Sequence, residues 1–266
     1  MPVTVSVGGF SVSQEEIPGG QTRAATDIAD YSGVKALTLA FYKADGVTQA
    51  YCTTQLKADD STYDTFGQFS LSLPLGSYKM IVLGYGSEKA VKFNSMTDVV
   101  FDEDKARETF AYTQDVVIGN SAAVDLSATL SRIMSRLCVY SSDERTAEVA
   151  KLRVSVSKGG QGFNPLTGFA TSDAGFSVLI EPNTPAGEVS KSMIHLFLIA
   201  DEETMDVTIE TLDASDNVLF SQVVKDVPFK RNYGTVLTGK MYTVEGSASG
   251  TFQVETDWDG RYDIDF

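Results

Sequence analysis

Apolar and polar residues alternate along most of this chain, and the alternation begins at once. Residues 3–7 read Val-Thr-Val-Ser-Val, a period of two that is typical of a β-strand with one buried face. The pattern continues after Gly8 and Gly9, which predict a bulge or a bend, and it ends at the Pro-Gly-Gly sequence of residues 18–20. The apolar side chains of this first predicted strand are Val3, Val5, Val7, Phe10 and Val12.

The segment behind this strand is polar and contains an isolated basic residue, Arg23, followed by Ala24. We predict an exposed loop here, because glycine, proline and small polar residues favour turns. A single cut in this loop would separate the first strand from everything that follows. An ordinary first strand with an ordinary loop is the simpler interpretation of these residues alone.

The rest of the chain reads almost entirely as strands separated by turn signals. We predict strands at 34–42, 69–75, 78–85, 91–101, 109–118, 124–130, 133–140, 149–159, 175–180, 194–200, 206–212, 218–227, 251–258 and 262–266. Residues 102–107 and 142–147 could each form a helical turn. The apolar spacing within 128–137 also fits a short helix, but its alternation and β-branched content favour strand.

The two halves of the chain show a similar order of strands. Residues 149–159 resemble 34–43, and 175–180 resemble 67–73. Residues 194–200 hold the place that 79–85 hold in the first half. Regularly spaced strands of this kind predict an all-β protein made of two β-sandwich domains, which we place at 1–124 and 125–266.

Composition narrows the choice of partners. The chain has 266 residues, 42% of them hydrophobic, and a formal net charge of −15. Such a chain is globular and repels phosphate backbones, so we expect no nucleic-acid partner. No run of 18 apolar residues is present, so we expect no transmembrane helix. Because Met1 and Pro2 lead directly into a strand pattern, we expect that a targeting segment has been removed.

The sequence contains no recognisable catalytic set. Its single histidine, His195, lies within an apolar strand and has no second histidine to work with. Cys52 and Cys138 lack a metal-type spacing, so we interpret both as buried free thiols, with one disulfide as the alternative. There is no phosphate-binding glycine loop. We therefore expect no enzyme activity, no cofactor and no metal site.

Two weaker binding signals remain. Aspartate-rich segments at 59–64, 213–216 and 257–260 could hold calcium, although none has EF-hand spacing and solvated turns explain them better. Four aromatic residues could stack on sugar rings, although filling the core is the more usual role of aromatics in β-proteins. These aromatic candidates are Tyr63, Tyr233, Trp258 and Tyr262.

Four short motifs, taken in order, resemble the fimbrillin family, the subunits of Bacteroidia-type (type V) pili. The first is Thr-Arg-Ala at 22–24, and the second is Leu-Ser-Arg at 130–132 running into Leu-Cys-Val at 137–139. The third runs from Lys-Arg-Asn-Tyr at 230–233 to 237–242, and the last is Val-Glu-Thr-Asp-Trp at 254–258. The resemblance covers most of the chain, and it depends more on the order of the motifs than on any single one.

The resemblance implies two transthyretin-like (Greek-key) β-sandwich domains and export as a lipoprotein to the outer-membrane surface of a Gram-negative bacterium. It also implies a trypsin-like protease that cuts after an arginine beyond the first strand. Here that cut would fall between Arg23 and Ala24 and would release the strand that carries Val3 to Val12. A donor strand from a neighbouring subunit would fill the groove, and in this chain its residues would be Phe252, Val254, Trp258, Tyr262, Ile264 and Phe266.

The resemblance therefore predicts a pilus subunit with other subunits as head-to-tail partners and no membrane contact except through an N-terminal lipid. Major, tip and anchor-like positions all stay open, and anchor-type relatives typically keep their first strand. The alternative is a surface lipoprotein of the same fold that binds a glycan or host ligand without polymerising. A hydrolase is the least favoured hypothesis, because one histidine would have to carry its chemistry.

Overall fold

A computed structural model describes residues 1–11, 28, 31–102, 105–120, 123–242, 250–253 and 264–265, with 8–11, 250–253 and 264–265 described by their backbone alone. These residues form an all-β protein, as predicted. The chain divides into two compact units, and residues 162–171 belong to the first. Unit 1 comprises 1–134 and 162–171, and unit 2 comprises 135–161 and 172–266. No helix within the described ranges is long and apolar enough to cross a membrane.

Unit 1 is built on one seven-stranded sheet with the order β3-β2-β5-β8-β9-β1-β4, accompanied by a β6-β7 hairpin. A 3₁₀ turn at Asp60–Thr62 follows β3. The strands are β1 (Pro2–Ser11), β2 (Ala36–Lys43), β3 (Gln49–Leu56), β4 (Gln68–Ser72), β5 (Gly76–Tyr85), β6 (Lys92–Ser95), β7 (Asp98–Val100), β8 (Thr109–Ile118) and β9 (Val124–Arg132).

Unit 2 contains two separate sheets, with the orders β13-β10-β16-β17-β18 and β12-β11-β14-β15. Its strands are β10 (Ser135–Glu144), β11 (Lys151–Val156), β12 (Phe176–Ile180), β13 (Val189–Leu196), β14 (Glu202–Leu212), β15 (Val218–Lys230), β16 (Gly234–Gly239), β17 (Gly250–Gln253) and β18 (Ile264–Asp265). The last two strands extend the first sheet beyond β16.

The two units share one strand connectivity. In unit 1, β1 pairs antiparallel with β4 and parallel with β9, and in unit 2, β10 pairs antiparallel with β13 and parallel with β16. The remaining strands follow the same order, β3-β2-β5-β8 against β12-β11-β14-β15. The units differ at one junction. In unit 1, β8 and β9 pair through Phe110–Arg132 and Ala111–Ser131, so strands that form two separate sheets in unit 2 form a single sheet in unit 1.

This connectivity corrects the alignment of the halves in part. Residues 34–43 and 149–159 do contain equivalent strands, β2 and β11. The strand equivalent to β12, however, is β3 and not the strand at 67–73, and the equivalent of β5 is β14 and not residues 194–200. The first segment of unit 1 runs to Met134, so β9, which we assigned to the second half, lies in unit 1.

Two further details differ from the sequence-based expectations. The favoured strand prediction for 128–137 is confirmed, because β9 and β10 cover it apart from Ile133 and Met134. The helical turn at 142–147 is wrong, because residues 142–144 continue β10. The strand at 91–101 is two strands, β6 and β7, which pair as a hairpin.

Each unit has its own hydrophobic core, since alternate residues of its strands point inward. The core of unit 1 contains Leu37, Leu39 and Phe41 of β2 together with Val3, Val5 and Val7 of β1. The core of unit 2 contains the equivalent β11 residues Leu152, Val154 and Val156, with Leu137 and Val139 of β10. β1 precedes β2 in the chain, and β10 precedes β11. Both β1 and β10 therefore contribute side chains to the core of their unit.

Candidate functional site

The first strand lies inside the sheet, between two neighbours. Along β4 its partners run antiparallel from Pro2–Ser72 to Ser6–Gln68, and along β9 they run parallel from Val3–Val124 to Ser11–Ser131. β4 is the last strand of the sheet order, so among the described strands β1 is its one neighbour. Removal of β1 would leave one backbone edge of both β4 and β9 unpaired, and such edges readily accept another strand.

The side chains of β1 divide by face, as the alternation predicts. Val3, Val5 and Val7 are 1%, 0% and 5% exposed, and all three belong to the core of unit 1. Thr4 and Ser6 are half-buried. Burial of one valine side chain contributes about 1.5–3 kcal/mol, so the three valines hold β1 firmly in an intact chain.

The glycine pair forms a bulge. The register of β1 against β9 shifts between Val7 and Gly9, after which Phe10 pairs with Leu130 through its backbone. One extra residue in a strand gives this kind of shift. The sequence left bulge and bend open, and the structure shows a bulge.

A buried glutamine, Gln55 of β3, forms hydrogen bonds to the backbone at the start of β4, beside the place where β1 pairs with Gly67. The Val7 N–H donates to the Gly67 carbonyl at 2.8 Å, and the Gly67 N–H donates to Gln55 Oε1 at 2.8 Å. Gln55 Nε2 then donates to the Gln68 carbonyl at 2.6 Å. Gly67 has a φ of +91° and an added Cβ would lie 3.2 Å from the Val7 carbonyl oxygen, so a side chain here would be strained.

The predicted cleavage residues Arg23 and Ala24, and also Val12, lie outside the described residues. The chain beyond them is anchored again at Ile28, which is 2% exposed and belongs to the core of unit 1. The next anchor is Tyr31, whose hydroxyl donates to Glu108 Oε1 at 2.7 Å. The segment between Ser11 and Ile28 is therefore bounded at both ends by groups fixed in unit 1.

Tyr31 is part of a compact polar cluster. Arg132 Nη2 lies 2.8 Å from Glu108 Oε1, and their side chains are 4% and 16% exposed. The Arg132 guanidinium also stacks over the Phe110 ring at 4.9 Å. Burial and the Glu108 carboxylate raise the pKa of Tyr31, which therefore stays protonated and keeps donating its hydrogen bond.

The predicted donor segment is described only in part. Phe252 lies in β17, where it pairs with Leu237 of β16, and Ile264 lies in β18, where it pairs with Phe252. Both strands thus extend a sheet of their own unit. The other predicted donor residues, Val254, Trp258, Tyr262 and Phe266, lie outside the described residues.

The remaining candidates do not assemble into a reactive site. His195 is half-buried on β13, opposite Arg136. Cys138 is buried and Cys52 is exposed, so the prediction of two buried thiols is wrong for Cys52; neither cysteine forms a disulfide. Tyr233 is 8% exposed, so it cannot serve as an open stacking platform. Trp258 and Tyr262 are the aromatic candidates that fall beyond the described ranges.

The aspartate-rich segments behave as turns where the structure describes them. Asp213 accepts hydrogen bonds from the N–H groups of Ser215 and Asn217, an arrangement typical of Asx turns. These bonds, with that from the Asn217 side-chain amide as the largest cause, lower the pKa of Asp213. No group of three or more potential metal ligands occurs among the residues that the structure describes.

The sequence alone does not identify β4 and β9 as the strands that pair with β1. Nothing local in residues 124–131 marks them as the parallel partner of β1, because strand pairing depends on contacts more than 100 residues apart. Gln55 was also missed, since a polar residue on a strand normally faces solvent. The one usable signal was its position directly before a turn-rich segment and a glycine.

Solved structures of several bacterial surface proteins share the fold of this chain. It resembles a candidate adhesin from Bacteroides ovatus with a TM-score of 0.55 and 10% identity, covering 96% of this chain and 93% of that one. It also resembles the fimbrial anchor protein Mfa2 from Porphyromonas gingivalis, with a TM-score of 0.53, 10% identity and coverage of 98% and 99%. The resemblance to the fimbrillin family therefore holds at the level of the fold.

A third similar structure is a candidate polysaccharide-binding protein from Bacteroides thetaiotaomicron, with a TM-score of 0.56, 9% identity and coverage of 99% and 98%. No curated protein sequence matches the chain. A family model matches residues 8–265, and by this match the chain belongs to the family described as "Family of unknown function (DUF6562)".

Proposed function

We propose that this protein is a non-enzymatic subunit of a bacterial surface pilus or related adhesive assembly, and that it joins neighbouring copies by exchange of its first strand. In this proposal the two units are transthyretin-like sandwiches, and the chain reaches the cell surface as a lipoprotein. A trypsin-like protease cuts after Arg23, β1 leaves, and a C-terminal strand of the next copy enters. The adhesin- and fimbria-related fold supports the surface role.

One observation carries the exchange step: β1 is held by contacts that another strand could reproduce. Its backbone pairs on both sides, and its buried side chains are three valines. Within residues 2–7, where side chains are described, no side chain forms a hydrogen bond or an ion pair. A replacement strand therefore needs only apolar residues at alternate positions, which is the usual requirement of strand addition.

The same contacts explain why cleavage and release are separate steps. Loss of β1 would expose the edges of β4 and β9 together with apolar core side chains. An emptied groove is therefore costly in free energy, and we expect β1 to stay bound after cleavage until an incoming strand displaces it. Because the contact runs from one copy to the next without closing, it produces a filament.

The C-terminal segment is the proposed donor because its apolar residues alternate, as those of β1 do. In the structure β17 pairs with β16 through four residues, and β18 pairs with β17 through two. Donation would require these short pairings to open. A copy whose β17 and β18 stay in place would accept a strand without giving one, which suits a terminal position in a filament.

The test is limited trypsin digestion combined with an engineered disulfide that holds β1 against β4. Because Val7 donates to Gly67, the Thr4–Ser70 pair is a non-hydrogen-bonded antiparallel pair, with Cα atoms expected about 4.5 Å apart. That spacing suits a disulfide. We would make Thr4→Cys with Ser70→Cys in a Cys52→Ser background, digest the oxidised and reduced forms, and follow mass and size by mass spectrometry and light scattering.

We expect one rapid cut after Arg23 in both forms. Only the reduced form should then lose residues 1–23 and grow into oligomers, while the oxidised form stays monomeric. An Arg23→Ala variant should resist the cut and also remain monomeric. Equal growth of the oxidised and reduced forms would exclude exchange of β1, and a reduced, cleaved form that keeps β1 and stays monomeric would favour an anchor-like subunit.

A further inference from the structure

A polar cleft of about 280 Å³ lies in unit 1 between β3 and β4, the two edge strands of the seven-stranded sheet. Its third wall is the segment at 62–65, which follows the 3₁₀ turn. The volume lies just below the usual range of ligand clefts, about 300–1,000 Å³, and therefore suits a short ligand or the end of a longer one. The residues important here are Tyr51, Thr53, Tyr63, Asp64, Gln68 and Ser70.

The cleft presents polar groups that the fold itself does not use. Among the described residues, the side chains of Tyr51, Asp64, Gln68 and Ser70 make no hydrogen bond to another part of the protein. Together they offer hydroxyls that donate and accept, one amide and one carboxylate. A cleft whose lining both donates and accepts hydrogen bonds fits a ligand that does the same.

The walls of the cleft are fixed in advance. The Tyr63 hydroxyl donates to the Leu56 carbonyl at 3.1 Å, and its ring packs against Phe66 with centroids 5.7 Å apart. Gln55 bonds to Gly67 and Gln68, and so ties β3 to β4 across the back of the cleft. A preorganised site loses less conformational entropy when a ligand binds.

Charge limits the class of ligand. Residues 57–64 contain one lysine and three aspartates, and the whole chain has a formal net charge of −15. An anionic ligand would be repelled, whereas a neutral ligand rich in hydroxyls would not. The rings of Tyr51 and Tyr63 also provide apolar faces beside the polar groups, as the C–H faces of a sugar require.

We propose that this cleft binds the terminal sugars of a neutral oligosaccharide, with Asp64 and Ser70 accepting hydrogen bonds from sugar hydroxyls. The assignment gives a ligand class to the adhesive role proposed above, and it does not depend on strand exchange. Sequence reasoning had singled out Tyr63 as an aromatic candidate, and the structure adds Tyr51 and the polar wall of β4 around it.

The test uses the intact, uncleaved chain on an array of immobilised neutral, sialylated and sulfated oligosaccharides, followed by calorimetric titration of the best neutral binder. We expect binding to neutral oligosaccharides only. Asp64→Asn should weaken it about ten-fold or more, a change of about 1.4 kcal/mol, and Ser70→Ala should weaken it by a few-fold. Asp125→Asn, an exposed carboxylate on β9, serves as the matched control and should leave binding unchanged.

Three results would overturn the proposal: no neutral oligosaccharide binds, acidic ones bind at least as well, or the Asp64→Asn variant binds like the unmodified protein. Thermal unfolding of each variant shows whether its fold is kept, because both substitutions lie at exposed positions. If the cleft binds no sugar, the interpretation of the trypsin and cross-linking results does not change. If β1 is not exchanged, the interpretation of the array result does not change. The two proposals can therefore be judged separately.

Discussion

β1 and β10 occupy the same position in the strand order of the two units, yet the contacts around them differ. Each strand has one antiparallel and one parallel neighbour, and each contributes alternate side chains to a core. The backbone pairing is thus alike. The difference lies in what the side chains bond to and in how the strand connects to the rest of the chain.

β10 is fixed by specific side-chain hydrogen bonds. Ser135 donates to the Tyr233 carbonyl at 3.1 Å, and Ser141 accepts the Ser190 N–H at 2.6 Å. The Asp143 carboxylate accepts the N–H groups of Met241 and Tyr242, both at 3.0 Å. The described side chains of β1 form no such bonds, so in the proposed exchange a foreign strand would have fewer specific contacts to reproduce at β1 than at β10.

The chain segments that join β1 and β10 to their neighbouring strands also differ. β1 is joined to β2 by residues 12–35, whereas β10 is joined to β9 by residues 133–134 and to β11 by residues 145–150. A cut after Arg23 separates β1 from every later strand. One cut beside β10 would leave it linked to its other neighbour, so a single proteolytic event can free one strand and not the other.

The largest effect on stability should come from a charge introduced at a buried position of β1. Val5→Asp would put a carboxylate at a position that is 0% exposed, so we expect unit 1 to lose about 4 kcal/mol or more of unfolding free energy. Denaturant unfolding monitored by hydrogen exchange would locate the loss. Val117→Asp on β8, where the side chain is 72% exposed, is the control and should change stability by less than about 0.5 kcal/mol. Similar effects of both variants would mean that β1 is not packed as described.

The next effect tests the side-chain bonds directly. Asp143→Ala would leave two backbone N–H groups without their acceptor, so unit 2 should lose about 2–4 kcal/mol of unfolding free energy. Thr4→Ala on β1 removes no hydrogen bond and should cost less than about 0.5 kcal/mol, as should Ser142→Ala beside Asp143. Equal losses for Asp143→Ala and Thr4→Ala, measured by chemical denaturation, would remove the distinction between the two strands.

A smaller effect concerns the anchor beyond the predicted cut. Tyr31→Phe removes the hydrogen bond that the hydroxyl donates to Glu108 and the one that it accepts from Arg132 Nη2. It keeps the ring against Phe110, so unit 1 should lose about 1 kcal/mol. Tyr112→Phe, which loses only a 3.2 Å bond to Gln114, is the control and should cost less. If Tyr31→Phe had no effect on unfolding or on the trypsin pattern, the cluster would not anchor this segment.

The smallest effect is a difference in thiol reactivity. Cys52 is exposed, yet desolvation by surrounding groups raises its pKa, so a maleimide should label it more slowly than a free cysteine at pH 7.5 and faster as the pH rises. Cys138 is 2% exposed on β10 and should stay unlabelled even after trypsin has removed β1. Labelling of Cys138 in folded, cleaved protein, detected by mass spectrometry, would show that β10 also opens.

Local alternation predicted much of the fold, because it reports which face of a strand is buried. The apolar set at Val3, Val5 and Val7 identified β1 correctly, and the general all-β class followed from similar patterns. Alternation does not report which strands pair. Residues 194–200 read as a strand buried on both faces, yet β13 ends at Leu196 and Ile199 is 41% exposed, so the repeat was aligned one strand out of step.

The candidate sites were harder to predict, since they depend on pairings that are remote in sequence. Cys52 was expected to be buried because free thiols usually are. Its strand β3 lies at the sheet edge, where the outward side chain is exposed. Gln55 and Gln68 likewise acquire a role only when β3 and β4 come together.

In the proposed assembly, the Gln55 amide would affect the rate at which subunits join. Because it bonds to Gly67 and Gln68, β4 keeps one link to β3 when β1 is absent. An incoming strand would then meet a groove of nearly constant width, and only the strand itself would have to become ordered. Association with a preformed surface proceeds at about 10⁵–10⁷ M⁻¹s⁻¹ and slows when a conformational change must come first. A single amide could in this way keep subunit joining in the faster regime.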